Sequence, residues 1–141
     1  MKTLVSIFST AILIMILLTG CAAKGMAEEK EAGYHQISQE EAAAMMEKDD
    51  GHIVLDVRRQ DEYASGHIPG AICIPNETIT TEMLPQLPDP KQVILVYCRS
   101  GNRSKQASGK LAEAGYQNVY EFGGIIDWTG ETETGGWYRQ R

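Results

Sequence analysis

The chain has 141 residues, which is enough for one ordinary domain and too few for two full hydrophobic cores. Hydrophobic residues make up 43% and charged residues 23% of the chain, a balance that excludes a wholly disordered protein. The net charge of −6 argues against general binding to nucleic acid, and the three cysteines are too few for a disulfide scaffold.

Residues 1–20 differ in character from the rest of the chain. Lys2 is their only charge, and residues 4–18 form a mostly apolar run, shorter than the ~20 residues of a spanning helix. A basic start and a short apolar run are typical of a secretory signal peptide. The run ends in Leu-Thr-Gly-Cys at 18–21, which resembles the bacterial lipobox. That resemblance implies cleavage after residue 20 and lipidation of Cys21.

Residues 21–33 are mostly small or charged, which is typical of a flexible tether. Two or three acyl chains on Cys21 would anchor such a tether stably to a membrane. We therefore expect residues 34–141 to form a domain on the extracytoplasmic face of a bacterial membrane, in the periplasm or at the cell surface. The alternative is an uncleaved membrane anchor in which Cys21 has no role, and it places the domain on the same side.

The chain from residue 34 onward alternates helical and extended patterns. Ser38 and Glu41 have the spacing of a capping box and predict a helix that runs to Lys48. Residues 53–57 are apolar except for Asp56 and rich in β-branched side chains, which predicts a buried strand. One helical turn, a strand and a short helix are then predicted over 61–64, 71–74 and 80–84.

Five consecutive apolar residues at 93–97 predict the central strand of a sheet that is covered on both faces. A helix over 104–114, ended by Gly115, and a strand over 119–122 complete a βαβ unit. We therefore expect an α/β domain with a mainly parallel sheet and helices on both faces.

The candidate chemistry lies at Cys98, directly after this central strand. Ligands of α/β folds bind outside the carboxyl ends of the strands. A tight turn would point its amides at the sulfur, beside the positive end of a helix, and nearby arginines would add full charges. These effects favour a thiolate in an anion-binding loop over an inert buried cysteine. The loop residues are Arg99, Ser100, Gly101, Asn102, Arg103 and Ser104.

Four ordered motifs over about 34–138 resemble those of the rhodanese family. They are Val54-Leu55-Asp56-Val57-Arg58, Glu62-Tyr63 with Gly66-His67-Ile68-Pro69-Gly70-Ala71, Cys98 to Ser104, and Phe122-Gly123-Gly124 with Trp128. The resemblance implies a sulfurtransferase of the thiosulfate type that uses no cofactor. Cys98 would take the outer sulfur of thiosulfate or a persulfide, hold it as a persulfide, and pass it to cyanide or a thiol. Such two-step covalent catalysis predicts ping-pong kinetics.

The resemblance also implies roles for the loop and for its partners. The amides of residues 100–104 would cradle the persulfide, while Arg99 and Arg103 would orient the anionic donor. The alternatives are that Arg99 is a solvated charge and that Arg103 pairs with an acid. The expected partners are a small sulfur anion as donor, a thiol or protein as acceptor, and the membrane through the lipid. No nucleic acid or metal is expected.

Three further residues are expected to support the site structurally. Asp56 would accept hydrogen bonds from loop amides, Arg58 would pair with Glu62 or another acid, and His67 would fix its own turn. Cys73 lies in an apolar strand and predicts a buried thiol. A disulfide between Cys73 and Cys98 is chemically permitted outside the cytoplasm, and the sequence does not decide whether it forms.

Two other functions compete with turnover of sulfur. Cysteine phosphatases, which share this fold, need an arginine after five intervening residues, but Ser104 stands there and Arg103 follows after only four. The shorter loop suits one sulfur atom better than a phosphate. A binding or sulfur-carrying module that does not turn over is the other alternative.

Overall fold

The computed structural model describes residues 33–136. In chain order they form β1 (His35–Gln36), α1 (Gln39–Met46), β2 (Ile53–Asp56), α2 (Gln60–Ser65), β3 (Ile72–Cys73), β4 (Val93–Cys98), α3 (Asn102–Glu113) and β5 (Asn118–Gly124). Two short 3-10 turns cover Asn76–Thr78 and Ile125–Asp127. The predicted signal peptide, Cys21 and nearly all of the tether lie outside the described residues.

The five strands form one parallel sheet in the order β1-β5-β4-β2-β3. The apolar run from residue 93 is β4 at its centre, as predicted, because its side chains need cover on both faces. All carboxyl ends of the strands therefore meet at one edge of the sheet, where Cys98 ends β4. The predicted α/β class with a parallel sheet is confirmed.

Alternating side chains of the strands build two cores on opposite faces of the sheet. On one face α3 packs through Ala107 and Leu111. On the other face α1 and α2 contribute Ala42 and Tyr63. Cys98 belongs to the α3 side, so its sulfur lies on the same face as the helix that follows it.

The predicted elements agree with the structure except at the end of α1, at residues 80–84 and at β1. The capping box of Ser38 and Glu41 is formed, although α1 ends at Met46 rather than at Lys48. The short helix predicted over 80–84 is wrong. There the Thr80 hydroxyl accepts a hydrogen bond from the amide of Glu82, which competes with helix formation, and Pro85 disfavours helix before it. The edge strand β1 was not predicted because its two residues are polar and exposed.

None of the helices within residues 33–136 combines the length and the apolar character needed to cross a membrane. The longest of them, α3, has 12 residues.

A buried ion pair lies at the end of β2. Asp56 is fully buried, and its carboxylate accepts hydrogen bonds from the Nε and Nη2 atoms of Arg58 at 2.6–3.0 Å. Nη2 also donates to the carbonyl of Gly66 at 2.6 Å, so the guanidinium ties β2 to the end of α2. A paired charge in the interior is tolerated, whereas an unpaired one is costly.

We expect Arg58→Met to lower the free energy of unfolding by about 3 kcal/mol, because it leaves Asp56 buried without its partner. The double variant Asp56→Leu/Arg58→Met should lose less stability than the single variant, since it leaves no unpaired charge in the interior. Arg59→Met, whose exposed arginine lies next in the chain, is the control and should change stability by less than about 0.5 kcal/mol. Urea unfolding measures all three, and equal losses for the single and double variants would contradict this account.

Candidate functional site

The end of β4 and the start of α3 place Cys98 within a tight backbone turn. Cys98 is the last residue of β4, and α3 begins only four residues later, at Asn102. Gly101 caps the helix with φ of 98°, a left-handed conformation that L side chains rarely adopt. This conformation turns its amide toward the sulfur, so a glycine is needed at this position.

The Cys98 sulfur lies among hydrogen-bond donors and is nearly closed to solvent. The Gly101 amide donates to Sγ at 3.1 Å, and the Ser104 hydroxyl lies 3.5 Å from it. Burial opposes ionisation, but the Ser104 hydroxyl and the amides of Ser104, Ser100 and Gly101 outweigh it, so that the pKa of the Cys98 thiol is lowered. The direction agrees with the prediction, and its cause is the loop amides and one hydroxyl.

The last residue of β5 supports this loop from behind. Gly124 pairs with Cys98 after an irregularity in the β4–β5 register. A Cβ atom at Gly124 would lie 2.1 Å from the carbonyl oxygen of Arg99 and 2.5 Å from the Cα of Ser100. The backbone of the loop therefore runs directly against Gly124, a close approach that only glycine permits.

The two loop arginines have different surroundings. Arg103 donates to both carboxylate oxygens of Glu62, at 2.7 and 2.9 Å. Of the two roles considered for Arg103 above, this contact corresponds to the one in which it pairs with an acid. Arg99 is exposed, and its side chain has no ion pair or hydrogen bond within residues 33–136. Arg99 is thus the loop cation whose charge is not already balanced by a neighbouring carboxylate.

The three residues predicted to support the site act at a distance from the loop. Asp56 accepts the amide of Arg58 at 2.9 Å rather than amides of the loop at 98–104. Arg58 pairs with Asp56, and Glu62 is taken by Arg103 instead. His67 is buried, with Nδ1 2.9 Å from the carbonyl of Tyr63 and Nε2 3.1 Å from Glu133. These contacts fix the turn after α2.

Cys73 is a buried free thiol, as expected. It lies in the core on the opposite face of the sheet from Cys98, and its sulfur donates to the carbonyl of Arg58 at 3.4 Å. Burial raises the pKa of Cys73 to about 12. The two cysteines are not bonded in this structure, and their environments shift the pKa values of the two thiols in opposite directions.

The sequence analysis missed Glu121, which is buried in β5 on the face of Cys98. The Ser104 hydroxyl lies 2.5 Å from Oε1 of Glu121, and the amide of Gly123 donates to the same oxygen at 2.9 Å. Glu121 also lines a cavity of about 340 Å³, together with Ser100 and Gly101 of the loop. A charged residue inside an otherwise apolar strand was the signal that could have drawn attention to it.

No group of His, Cys, Asp and Glu side chains in the described part of the chain could hold a metal ion. Trp128, the last residue of the fourth rhodanese-like motif, lies against Phe122 with the ring centres 5.9 Å apart.

Comparisons with known proteins point to one family. A family model described as the Rhodanese-like domain matches residues 38–131. Thiosulfate sulfurtransferase PspE of Escherichia coli (strain K12) is 37% identical over 73 residues, which cover 52% of this chain and 70% of that protein. The putative sulfur carrier protein YrkF of Bacillus subtilis (strain 168) is 32% identical over 106 residues, or 74% of this chain and 56% of that protein.

Solved structures agree with these sequence relatives. A structure described as rhodanese with anions from E. coli is 33% identical, with a TM-score of 0.55, and covers 60% of this chain and 99% of that one. Because the aligned region includes nearly the whole of that rhodanese, the similarity extends over the complete fold and is not limited to one motif.

We expect Gly124→Ala to displace the loop, because its added Cβ would lie within 3 Å of three backbone atoms of Arg99 and Ser100. Alkylation of Cys98 by iodoacetamide near neutral pH should become severalfold slower, because amides displaced from Sγ no longer lower the pKa of the thiol. Gly109→Ala, in α3 with nothing within 4 Å of its Cβ, is the matched control. Equal alkylation rates for both variants would show that the close approach does not shape the site.

The Arg103–Glu62 pair should make stability depend on acid pH. Hydrogen bonds from Arg103 lower the pKa of Glu62 from 4.5 to about 2. The pair therefore stabilises the fold fully above pH ~4.5, and this contribution is lost as the pH falls to about 2. Glu62→Gln should lower the urea midpoint at neutral pH and match the wild type near pH 2, with exposed Glu113→Gln as control. If Glu62→Gln lowered the urea midpoint by the same amount at both pH values, the ion pair could not be the cause of the lost stability.

Proposed function

The chain belongs to the family of rhodanese-like domains, and on that basis we propose that it is a sulfurtransferase that carries sulfane sulfur on Cys98. The observation that supports this role most directly is the surroundings of the sulfur. Loop amides and the Ser104 hydroxyl converge on Sγ and lower the pKa of the thiol despite its burial. A thiolate is the nucleophile that such transfer requires.

In the first step, the Cys98 thiolate attacks the outer sulfur of thiosulfate. A bond forms between Sγ and that sulfur, the S–S bond of thiosulfate breaks, and its electron pair leaves with sulfite. Cys98 then carries a persulfide anion, which keeps the single negative charge of the thiolate. The amides that hold the thiolate can therefore hold the outer sulfur as well, by the same hydrogen bonds.

In the second step, a thiolate or cyanide attacks the outer sulfur of the Cys98 persulfide. The product is a persulfide of the acceptor or thiocyanate, and the Cys98 thiolate is regenerated. The sulfur is transferred without net oxidation or reduction, so no cofactor is required. Because donor and acceptor use one site in turn, the kinetics are ping-pong.

The charges around the loop favour a small anionic donor. Arg99 is exposed beside Cys98 and is free to meet the donor, whereas the charge of Arg103 is already opposed by Glu62. We assign the donor contact to Arg99 and a supporting role to Arg103. The pair with Glu62 also argues against a phosphatase, since no arginine of the loop is both correctly spaced and unpaired.

A second candidate function is a sulfur carrier that delivers its persulfide to a protein partner without fast turnover. It is favoured by the relative YrkF, whose description is a putative sulfur carrier protein, and of which this chain covers 56%. Carrier and enzyme share the same Cys98 chemistry and differ in the rate of the second step. From the lipobox-like segment we further propose that either one is held at the outer face of a bacterial membrane through a lipid on Cys21.

The proposed function predicts that thiosulfate adds the mass of one sulfur atom to Cys98, as read by mass spectrometry of the intact protein. Cys98→Ser should abolish the adduct and all transfer to cyanide. Cys73→Ser is the matched control and should keep both, because that thiol is buried on the other face of the sheet. An adduct without steady-state turnover would support the carrier.

Absence of the adduct with thiosulfate and with persulfide donors would exclude both forms of the proposal. Hydrolysis of p-nitrophenyl phosphate that depends on Cys98, without sulfur transfer, would instead establish the phosphatase alternative.

A further inference from the structure

We propose that Gln39, the first residue of α1, is a positioning residue for the loop at 98–104, because its side-chain amide holds Gly124 where the loop backbone packs against it. The inference rests on the proposed function, since it takes Cys98 as the nucleophile that carries sulfur. It deepens that function by naming a residue that acts on the sulfur through Gly124 and the loop.

The hydrogen bond from Gln39 joins the start of α1 to the end of β5. Its Nε2 atom donates to the carbonyl oxygen of Gly124 at 2.8 Å, although the two residues are 85 positions apart in the chain. Strand β1 pairs with β5 at Tyr120 and Glu121, and the chain then leaves the sheet to enter α1. The side chain of Gln39 therefore extends the attachment of this segment to β5 beyond the last paired residue.

The end of β5 needs such a hydrogen bond because it consists of two glycines. Gly123 and Gly124 have no side chains that could anchor the strand end in a core, so contacts to their backbone must fix its position. The Gly123 amide donates to Oε1 of Glu121 at 2.9 Å, and the Gln39 amide holds the carbonyl of the next residue. Gln39 is thus the contribution of α1 to the placement of Gly124.

Gly124 is also in direct contact with the loop. It pairs with Cys98 in the β4–β5 ladder, and a Cβ atom on it would collide with the backbone of Arg99 and Ser100. The Ile126 amide donates to the carbonyl of Arg99 at 3.2 Å, so the turn after β5 holds the same backbone group. Because close-packed atoms leave no gap that could absorb a movement, a displacement of Gly124 must be passed on to the loop.

The hydrogen bonds to the sulfur depend on the position of this backbone. The Gly101 amide donates to Sγ of Cys98 at 3.1 Å, and a hydrogen bond weakens as its distance and angle depart from their optimum. Burial raises the pKa of the Cys98 thiol, while the Ser104 hydroxyl and the loop amides lower it by more. Loss of the bond from Gln39 should therefore raise that pKa, because it lets the loop amides move away from Sγ.

The chain offers a matched comparison at the opposite edge of the sheet. Nε2 of Gln92 donates to the carbonyl of Gly51 at 3.0 Å, which is the same kind of bond as that between Gln39 and Gly124. Gln92 directly precedes β4, whereas Cys98 is the last residue of that strand. If both bonds only stabilised the fold, substitution of either glutamine would leave the thiol unchanged.

The test is the pH dependence of Cys98 alkylation by iodoacetamide in the full chain, read by mass spectrometry of the peptide that contains Cys98. Gln39→Met keeps the length of the side chain and removes the donor. We expect its alkylation to rise at higher pH and to be severalfold slower at neutral pH, because less of the thiol is ionised. Where both thiols are fully ionised, the variant should no longer be slower. Gln92→Met should keep the profile of the unsubstituted chain.

Nuclear magnetic resonance of the unsubstituted chain gives a second measurement, which does not depend on the folding of a variant. Alkylation of Cys98 adds a group within the loop and should displace the backbone that packs against Gly124. The side-chain amide resonance of Gln39 should therefore shift, because its acceptor moves. The side-chain amide resonance of Gln92 is the control and should stay in place.

The positioning role would be overturned by an unchanged alkylation profile in Gln39→Met, by an equal change in Gln92→Met, or by a Gln39 resonance that does not shift. Alkylation of Gln39→Met that is slower by the same factor at every pH would also overturn it, since that result indicates blocked access and not a raised pKa. None of these readouts needs a sulfur donor. The sulfurtransferase proposal fails if no persulfide forms on Cys98, whatever the result for Gln39, so the two failures are distinguishable.

Discussion

The site depends on a set of hydrogen-bond donors that face one buried sulfur atom. Burial alone would keep Cys98 protonated, because a charge is poorly solvated in the interior. The backbone turn into α3 lowers the pKa of the thiol in spite of that burial by directing amides, with the Ser104 hydroxyl, at Sγ. The turn in turn requires the left-handed Gly101 and the close approach at Gly124. The fold and the reactivity of Cys98 thus depend on the same feature, which is the backbone path between Cys98 and the start of α3.

Ion pairs distribute charge around that turn. Asp56 and Arg58 neutralise each other in the interior and join β2 to the end of α2, while Arg103 and Glu62 join the loop to α2. These pairs neutralise two arginines that would otherwise be free to bind an anion. Arg99 is exposed and remains the loop arginine without an ion pair within residues 33–136, so the proposed donor would meet one unbalanced cation there.

Much of the fold could be predicted because its signals are local. The capping box at Ser38 starts α1, and the apolar run from residue 93 forms the central strand. The helix predicted over 80–84 failed because a Thr80 turn and the following Pro85 outweigh the composition of that segment. The two-residue edge strand β1 carries no apolar pattern, since its pairing with β5 supplies backbone hydrogen bonds and little burial.

The sequence by itself determined the position of Cys98 after a buried strand, the polar loop that follows it, and the direction in which the pKa of the Cys98 thiol is shifted. Only the tertiary structure decided which side chains meet: Arg103 with Glu62, Asp56 with Arg58, and Glu121 with Ser104. Residues 104 and 121 are 17 positions apart, and no local pattern shows that β5 brings one beside the other. The order and register of the strands decide which distant side chains come into contact, whereas the loop is formed by consecutive residues and can be recognised from them.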